Sequence, residues 1–235
     1  MAIKIKKGKR AIEQLTAHAF RESWQKIYEQ CPWAAPALSF DYVSIWYEVY
    51  RQRFSPILVS KEGPNGELLG VLPLAEQKDD GSLTVAGGNQ GEYKVWLAPP
   101  NDGGEFITKA LLLVRQTYPG RTLTFMYLPP MTPLDFLSKD MVLKTFCKVR
   151  SYSRPLLILN EAALKQSLRK KSNKSRINRL RALGEINFVR LTRRAEAEPL
   201  MEEIATQCDL RQGAAHDSLP FSRDPVKRIF YRLFA

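Results

Sequence analysis

The stretch from Ala162 to Gly184 reads AALKQSLRKKSNKSRINRLRALG and holds the residues with the plainest chemistry in the chain. Between Lys165 and Arg181 it carries eight basic side chains and no acid: Lys165, Arg169, Lys170, Lys171, Lys174, Arg176, Arg179 and Arg181. The formal net charge of the 235-residue chain is +12. Most of it lies here and at Lys4, Lys6, Lys7, Lys9 and Arg10, and the rest is slightly acidic. Clustered cations on a near-neutral body point to an anionic partner more sharply than a high overall charge does. Two readings stand: a solvated charged face, or a site for an anion, either a phosphate-bearing small molecule or a nucleic acid.

The wheel of this segment limits how it can pack. With Arg169 at zero and 100° per residue, Arg169, Lys170, Lys174, Lys171, Arg179 and Arg176 fall at roughly 0°, 100°, 140°, 200°, 280° and 340°. The charges surround the axis. Leu164 and Leu168 lie near ~220° and ~260°, whereas Ile177, Leu180 and Leu183 lie near ~80°, ~20° and ~320°. No single apolar face runs through. Lys174 repels both Lys170 and Lys171, at about a few tenths of a kcal/mol per pair, and Ser172, Asn173 and Ser175 are weaker helix formers than Ala. The spacing predicts a helix weakest at 170–175, bent or exposed there, with ends that pack on different partners.

Other reactive residue types are sparse. His18 falls on a helical pattern, and His216 sits in a polar stretch beside Asp217. Asp79-Asp80 and Glu202-Glu203 are sequence neighbours whose side chains diverge, so they form no shared site. Cys31, Cys147 and Cys208 are far apart with no CxxC spacing, which argues against a disulfide framework or a zinc site and fits a reducing, cytoplasmic compartment. Gly87-Gly88-Asn89-Gln90-Gly91 leads toward a strand and so lacks the helix N-terminus of a phosphate loop. Tyr93 and Trp96, just after it, are the candidates for an acceptor-side wall. The longest aliphatic run, 110–114, is too short to span a bilayer.

The elements that must position these residues follow in order. Residues 1–15 read as a basic arm, loose over its first ten positions. A helix over 16–31 with Thr16 as N-cap carries Phe20, Trp24, Ile27 and Tyr28, and Pro32 ends it. A second, about 39–53, starts at Ser39 and carries Phe40, Val43, Trp46, Tyr47 and Tyr50. Strands are expected at 56–60, 67–75, 82–86, 93–98 and 121–128, with a helix over 102–118 between the last two. A short helix near 133–139 and a strand about 145–150 follow. The order then begins again: a strand at 155–159, the basic helix capped by Asn160 and stopped by Gly184, a strand at 185–191, a helix over 195–211 with Leu200, Ile204 and Cys208 or Ala205 inward, a loop at 212–215, and a last helix capped by Asp224. This is an α/β chain: a first layered domain at 16–155, then 156–235 as the basic helix and the opening part of a second.

Trp24, Phe40 with Trp46, Leu69-Gly70-Val71-Leu72-Pro73-Leu74, and Tyr93 with Leu97 and Pro99 form an order that resembles the CelD-like acyltransferases of the GNAT superfamily. The basic helix with Asn178-Arg179-Leu180-Arg181 and Leu183-Gly184, and the segment Arg211-Gln212-Gly213 through Pro220-Phe221 to Asp224-Pro225, extend the resemblance over about residues 20–235. It implies two tandem GNAT-like halves, each a mixed sheet flanked by helices, distantly similar to Fem-type peptidyltransferases. It further implies N- or O-acetyl transfer from acetyl-CoA to a sugar-derived or amine acceptor in cellulose, other polysaccharide or cell-envelope biosynthesis.

The family's acyl-CoA loop, Arg/Gln-x-x-Gly-x-Gly/Ala, belongs to the second half, after strands this chain is expected not to include. The nearest match, Arg181 to Ile186, reads as a helix C-cap. Transfer of this kind is direct, so no Ser or Cys nucleophile is required. Arg169, Lys170, Lys174, Arg176, Arg179 and Arg211 are the candidates for the anion, with Tyr93 and Trp96 on the acceptor side and no metal. The alternatives are a nucleic-acid or aminoacyl-tRNA-binding Fem-like module, or an inactive scaffold in a synthesis complex.

Overall fold

A computed structural model describes residues 2–152 and 160–234; the strand expected at 155–159 lies outside them. The chain is a mixed α/β protein built on a four-stranded sheet in the order β1-β2-β3-β4. All its strand pairings are antiparallel, where the resemblance implies a mixed sheet.

The first strand, β1 (Ile3–Lys7), occupies the segment expected to be a loose arm, and α1 (Lys9–Thr16) follows at once. Ile3 and Ile5 alternate with Lys4 and Lys6, which gives one apolar edge to pack and one cationic edge to pair. Lys6 reaches Glu62 at 3.4 Å and also meets Gln14. Helix α2 (His18–Gln30) begins after Ala17, which is extended, so Thr16 ends one helix rather than capping the next. Its buried residues are Phe20, Trp24 and Ile27. Helix α3 (Phe40–Val49) is capped by Ser39, whose Oγ accepts from Tyr42 N at 3.3 Å.

Strands β2 (Phe54–Glu62) and β3 (Leu68–Gln77) form the expected hairpin, and β4 (Leu83–Val85) pairs along β3. Both long strands are buried along most of their length. The Tyr47 hydroxyl, from α3, reaches the carbonyls of Leu74 at 2.7 Å and Ile57 at 3.2 Å. Helix α4 (Gly103–Thr117) packs Phe106, Ile107, Ala110 and Val114 inward. It sits close to β3: a Cβ on Gly70 would stand 2.4 Å from the Phe106 ring.

Neither 93–98 nor 121–128 joins the sheet as a strand. Leu97 makes a single antiparallel bridge to Val71, and Lys94 N donates to Met126 O at 3.1 Å. Pro99-Pro100 and Pro129-Pro130 supply no N–H beyond these segments, and Tyr127 has φ 56°, which breaks the extended run. The alternation at Leu123, Phe125 and Tyr127 still half-buries those side chains. After α5 (Phe136–Lys139), the expected strand about 145–150 is preceded by a helix, α6 (Met141–Phe146), and continues as coil. Asp140 caps α6, its carboxylate accepting from the N–H groups of Val142 and Leu143 at 2.8 and 2.9 Å.

The basic segment is two helices, α7 (Glu161–Arg169) and α8 (Lys171–Leu183), separated by an extended Lys170 with ψ 138°. Asn160 caps α7, accepting from Ala163 N at 2.7 Å. Within a continuous helix, Ser167 O would accept from Lys171 N; here it accepts from Lys170 N at 3.1 Å and Asn173 Nδ2 at 2.8 Å. A side-chain amide has displaced the ladder, as Asn does when a helix is weak. The bend thus falls where the wheel places it, but the ends do not pack: neither helix has a buried residue. Residues 185–191 are exposed coil, not a strand.

After α9 (Arg194–Ala197) and a turn of 3-10 helix, α10 (Met201–His216) runs through the loop expected at 212–215 and ends at a left-handed Asp217. Its buried positions are Met201, Ala205 and Asp209, four apart, while Leu200 and Ile204 are exposed. The last helix, α11 (Val226–Phe234), buries Phe230 against α3, with ring centroids 4.9 Å from Tyr42 and 6.3 Å from Tyr50.

Candidate functional site

The break at Lys170 leaves Arg169, Lys170, Lys174, Arg176 and Arg179 together on two consecutive short helices, all exposed. Lys165 is paired with Glu161 at 2.6 Å. Among the described residues no carboxylate pairs with Arg169, Lys170, Lys171, Lys174, Arg176, Arg179 or Arg181. Cations elsewhere are often satisfied: Arg53 meets Asp224 at 3.2 Å, and Glu202 takes both Arg228, at 3.1 Å, and Arg232, at 2.5 Å. The basic segment therefore holds charge available to an external anion. Arg211 is exposed on α10, a separate element.

Tyr93 and Trp96 have different fates. Tyr93 is half-buried against the core. Trp96 is fully built into it: Nε1 donates to Gly103 O at 3.1 Å, and its carbonyl accepts from Trp33 Nε1 at 2.8 Å. Phe125 and Phe136 stand edge-on to its ring. It anchors the start of α4 and is not open to an acceptor. Between them lies Lys94, buried, with its pKa pushed down by desolvation. No periodicity marks this lysine, because its burial comes from the extended segment around it rather than from a ladder.

A polar cluster missed by local pattern joins α3, the glycine loop and the start of α11. Trp46 Nε1 donates to Gln90 Oε1 at 3.1 Å, and Gln90 Nε2 donates to the Tyr50 hydroxyl at 2.8 Å. That hydroxyl donates to Asp224 Oδ2 at 2.9 Å, while Arg53 donates to Oδ1 at 3.2 Å. Desolvation first, and then the hydrogen bond to Asp224, raise the Tyr50 pKa far above its ordinary range. The phenol is thereby fixed as a neutral donor. Asp224 is thus a hub between elements; at the start of α11 it is its backbone carbonyl that accepts, from Lys227 N. Gln90 gives the Gly87–Gly91 loop its role, which is to hold this cluster and not a phosphate.

Open hollows also mark the surface of the described residues. One, about 500 Å³, lies beside the start of α4 and is lined by Asn101, Gly104, Thr108, Lys109, Asp135 and Lys139 among others. Another, about 550 Å³, is lined by Ile5, Lys7, Lys9, Arg10 and Thr117. There the Lys7 ammonium sits 4.1 Å from the ring centroid of Tyr118. His18 is exposed, 3.6 Å from Glu22, and His216 is the exposed last residue of α10. Among the described residues no group of three or more His, Cys, Asp or Glu side chains is placed to hold a metal ion. Likewise, no helix is long and apolar enough to cross a membrane.

No protein-family model matches this chain, and no curated protein or solved structure matches it significantly. What stands is the class: a mixed α/β protein with a four-stranded antiparallel sheet, flanking helices and an exposed cationic helix pair.

Proposed function

We propose that this chain serves acyl transfer of the GNAT type, moving an acetyl group from acetyl-CoA to an amine or hydroxyl of a sugar-derived acceptor in polysaccharide or cell-envelope biosynthesis. The observation that carries this reading is the unpaired cation set on α7 and α8. Both a coenzyme A thioester and a nucleotide- or lipid-linked acceptor are anions, and each requires such a surface. The residues that resemble CelD-like acyltransferases support the same reading. In direct transfer the acceptor attacks the thioester carbon, the C–S bond breaks, and the acceptor's proton leaves to a base, so positioning and electrostatics carry the rate. Arg169, Lys170, Lys174, Arg176 and Arg179 hold the phosphates, and Tyr93 borders the acceptor.

Titration calorimetry with acetyl-CoA, on a longer chain that also carries the family's acyl-CoA loop, tests the reading. Saturable binding is expected, weakened about tenfold for each phosphate contact removed in R169Q, R176Q and R179Q. An absence of saturable binding, or a triple variant that binds as the parent does, sinks it.

A further inference from the structure

We propose that residues 161–191 form a docking surface for an anionic lipid bilayer. The inference goes beyond acyl transfer and does not depend on it.

The segment is unusual in two respects at once. It holds eight cations without a carboxylate partner among the described residues, and it leaves large apolar side chains in water. Leu183 is 85% exposed and Phe188 98%, and Leu164, Leu168, Leu180 and Val189 are exposed with them. No residue of α7, α8 or 184–191 is buried. Contiguous exposed apolar surface marks an interaction site, and free cations require that the partner be negative.

The helical phase sharpens this. Over a straight helix the leucines of the two ends would point apart. With the break at Lys170, each short helix keeps its own apolar edge. On α7 the edge is Leu164 and Leu168, one turn apart. On α8 it is Ile177, Leu180 and Leu183, within an arc of roughly 120°, with Arg179 and Arg181 at its two borders. Two polar residues fall inside that arc: Asn173, whose amide is bonded back to Ser167 O, and Arg176, whose aliphatic stem can lie along the edge while the guanidinium reaches out. Apolar edges bordered by Lys and Arg are the pattern of helices that lie in the interface plane, with the side chains in the acyl boundary and the cations among anionic headgroups. Phe188 and Val189 continue the apolar series past Gly184.

Nucleic acid fits less well. No aromatic residue lies between Lys165 and Arg181, so bases would find no stacking platform within the basic run. Leu183, Phe188 and Val189 would gain nothing from a phosphate backbone.

Co-sedimentation with vesicles decides the matter, using equimolar phosphatidylglycerol and phosphatidylcholine against phosphatidylcholine alone, with no acyl donor present. The expected result is binding to the anionic vesicles only, weakened about fivefold for each of R176Q, R179Q and R181Q. The double variant L183S/F188S keeps the net charge, and is expected to bind at least about tenfold more weakly through lost insertion of apolar groups. Both positions are exposed, so its melting temperature should match the parent's. Failure to bind the anionic vesicles overturns the proposal, as does L183S/F188S binding like the parent. Tighter binding to duplex RNA than to vesicles, indifferent to L183S/F188S, assigns the segment to nucleic acid and overturns it too. Because acetyl-CoA is absent, each outcome is separable from failure of the acyl-transfer reading.

Discussion

Two aspartates show how a single side chain can join parts of this chain that sequence spacing keeps apart. Asp209, buried on α10, accepts from the N–H groups of Phe221 and Ser222 at 2.8 Å each and from Ser222 Oγ at 2.6 Å. Desolvation works to raise its pKa, but the bonds from Ser222 and Phe221 outweigh it and hold the carboxyl below its ordinary 3.8. A carboxyl whose pKa is lower in the fold than in the unfolded chain stabilises the fold fully above the unfolded value, and this contribution is lost as the pH falls through the folded one. Urea unfolding of Asp209→Asn should therefore show its largest deficit near neutrality, shrinking below pH ~4 toward the parent's stability. A deficit that stays constant down to the acid limit would mean that Asp209 acts through packing and not through charge. Asp224 carries the same lesson for reading sequence. Beside Pro225 it looks like a cap, yet its carboxylate serves Tyr50, 174 positions away. No local spacing encodes such a partner.

Elements were legible where one face alone had to be buried. The stripes of α2, α3 and α4, the hairpin at Gly63–Gly66 and the Ser39 and Asn160 caps all follow from period and capping chemistry. The break in the basic helix was legible too, since repulsion and weak formers converge on one place. Strands were less so. The alternation in 93–98 and 121–128 reports burial, but a ladder needs partners at the right register, and the proline pairs that follow each segment and the positive φ of Tyr127 cut the runs short. Conversely, β1 was hidden because its lysines read as charge before its isoleucines read as alternation. The fit between β3 and α4 is set by one absence, the side chain of Gly70. Gly70→Ala would force its methyl into the Phe106 ring, and overpacking of this kind costs about 1–3 kcal/mol. The measurement is the midpoint of denaturant unfolding at unchanged slope, and a shift within the scatter of surface variants would show that α4 can slide away freely.

At the scale of the molecule, stability is divided unevenly along the chain, and the division does not follow its order. The aromatic core of Trp24, Trp46, Tyr47, Trp96 and Phe106 belongs to the first half of the sequence. The last helix joins it: Phe230 is fully buried beside Tyr42 and Tyr50, and Asp224 is bonded to Tyr50 and Arg53. Between them, 161–195 contributes no buried residue and offers trypsin a run of exposed Lys and Arg. Local opening is cheapest where buried apolar contacts are fewest, so brief trypsin treatment should cut within 165–194 first, while the sheet and α4 resist. The two products should then stay together through size-exclusion chromatography, held by the contact between α11 and α3. Phe230→Ala, which empties that contact at about 3–5 kcal/mol, should let the nicked fragments separate. Were the parent's fragments to part at once, α11 would contribute little to the fold. Were the first cuts to fall within β2 or β3, the basic segment would be protected by contacts it lacks here, and the surface proposed to meet the bilayer would already be covered.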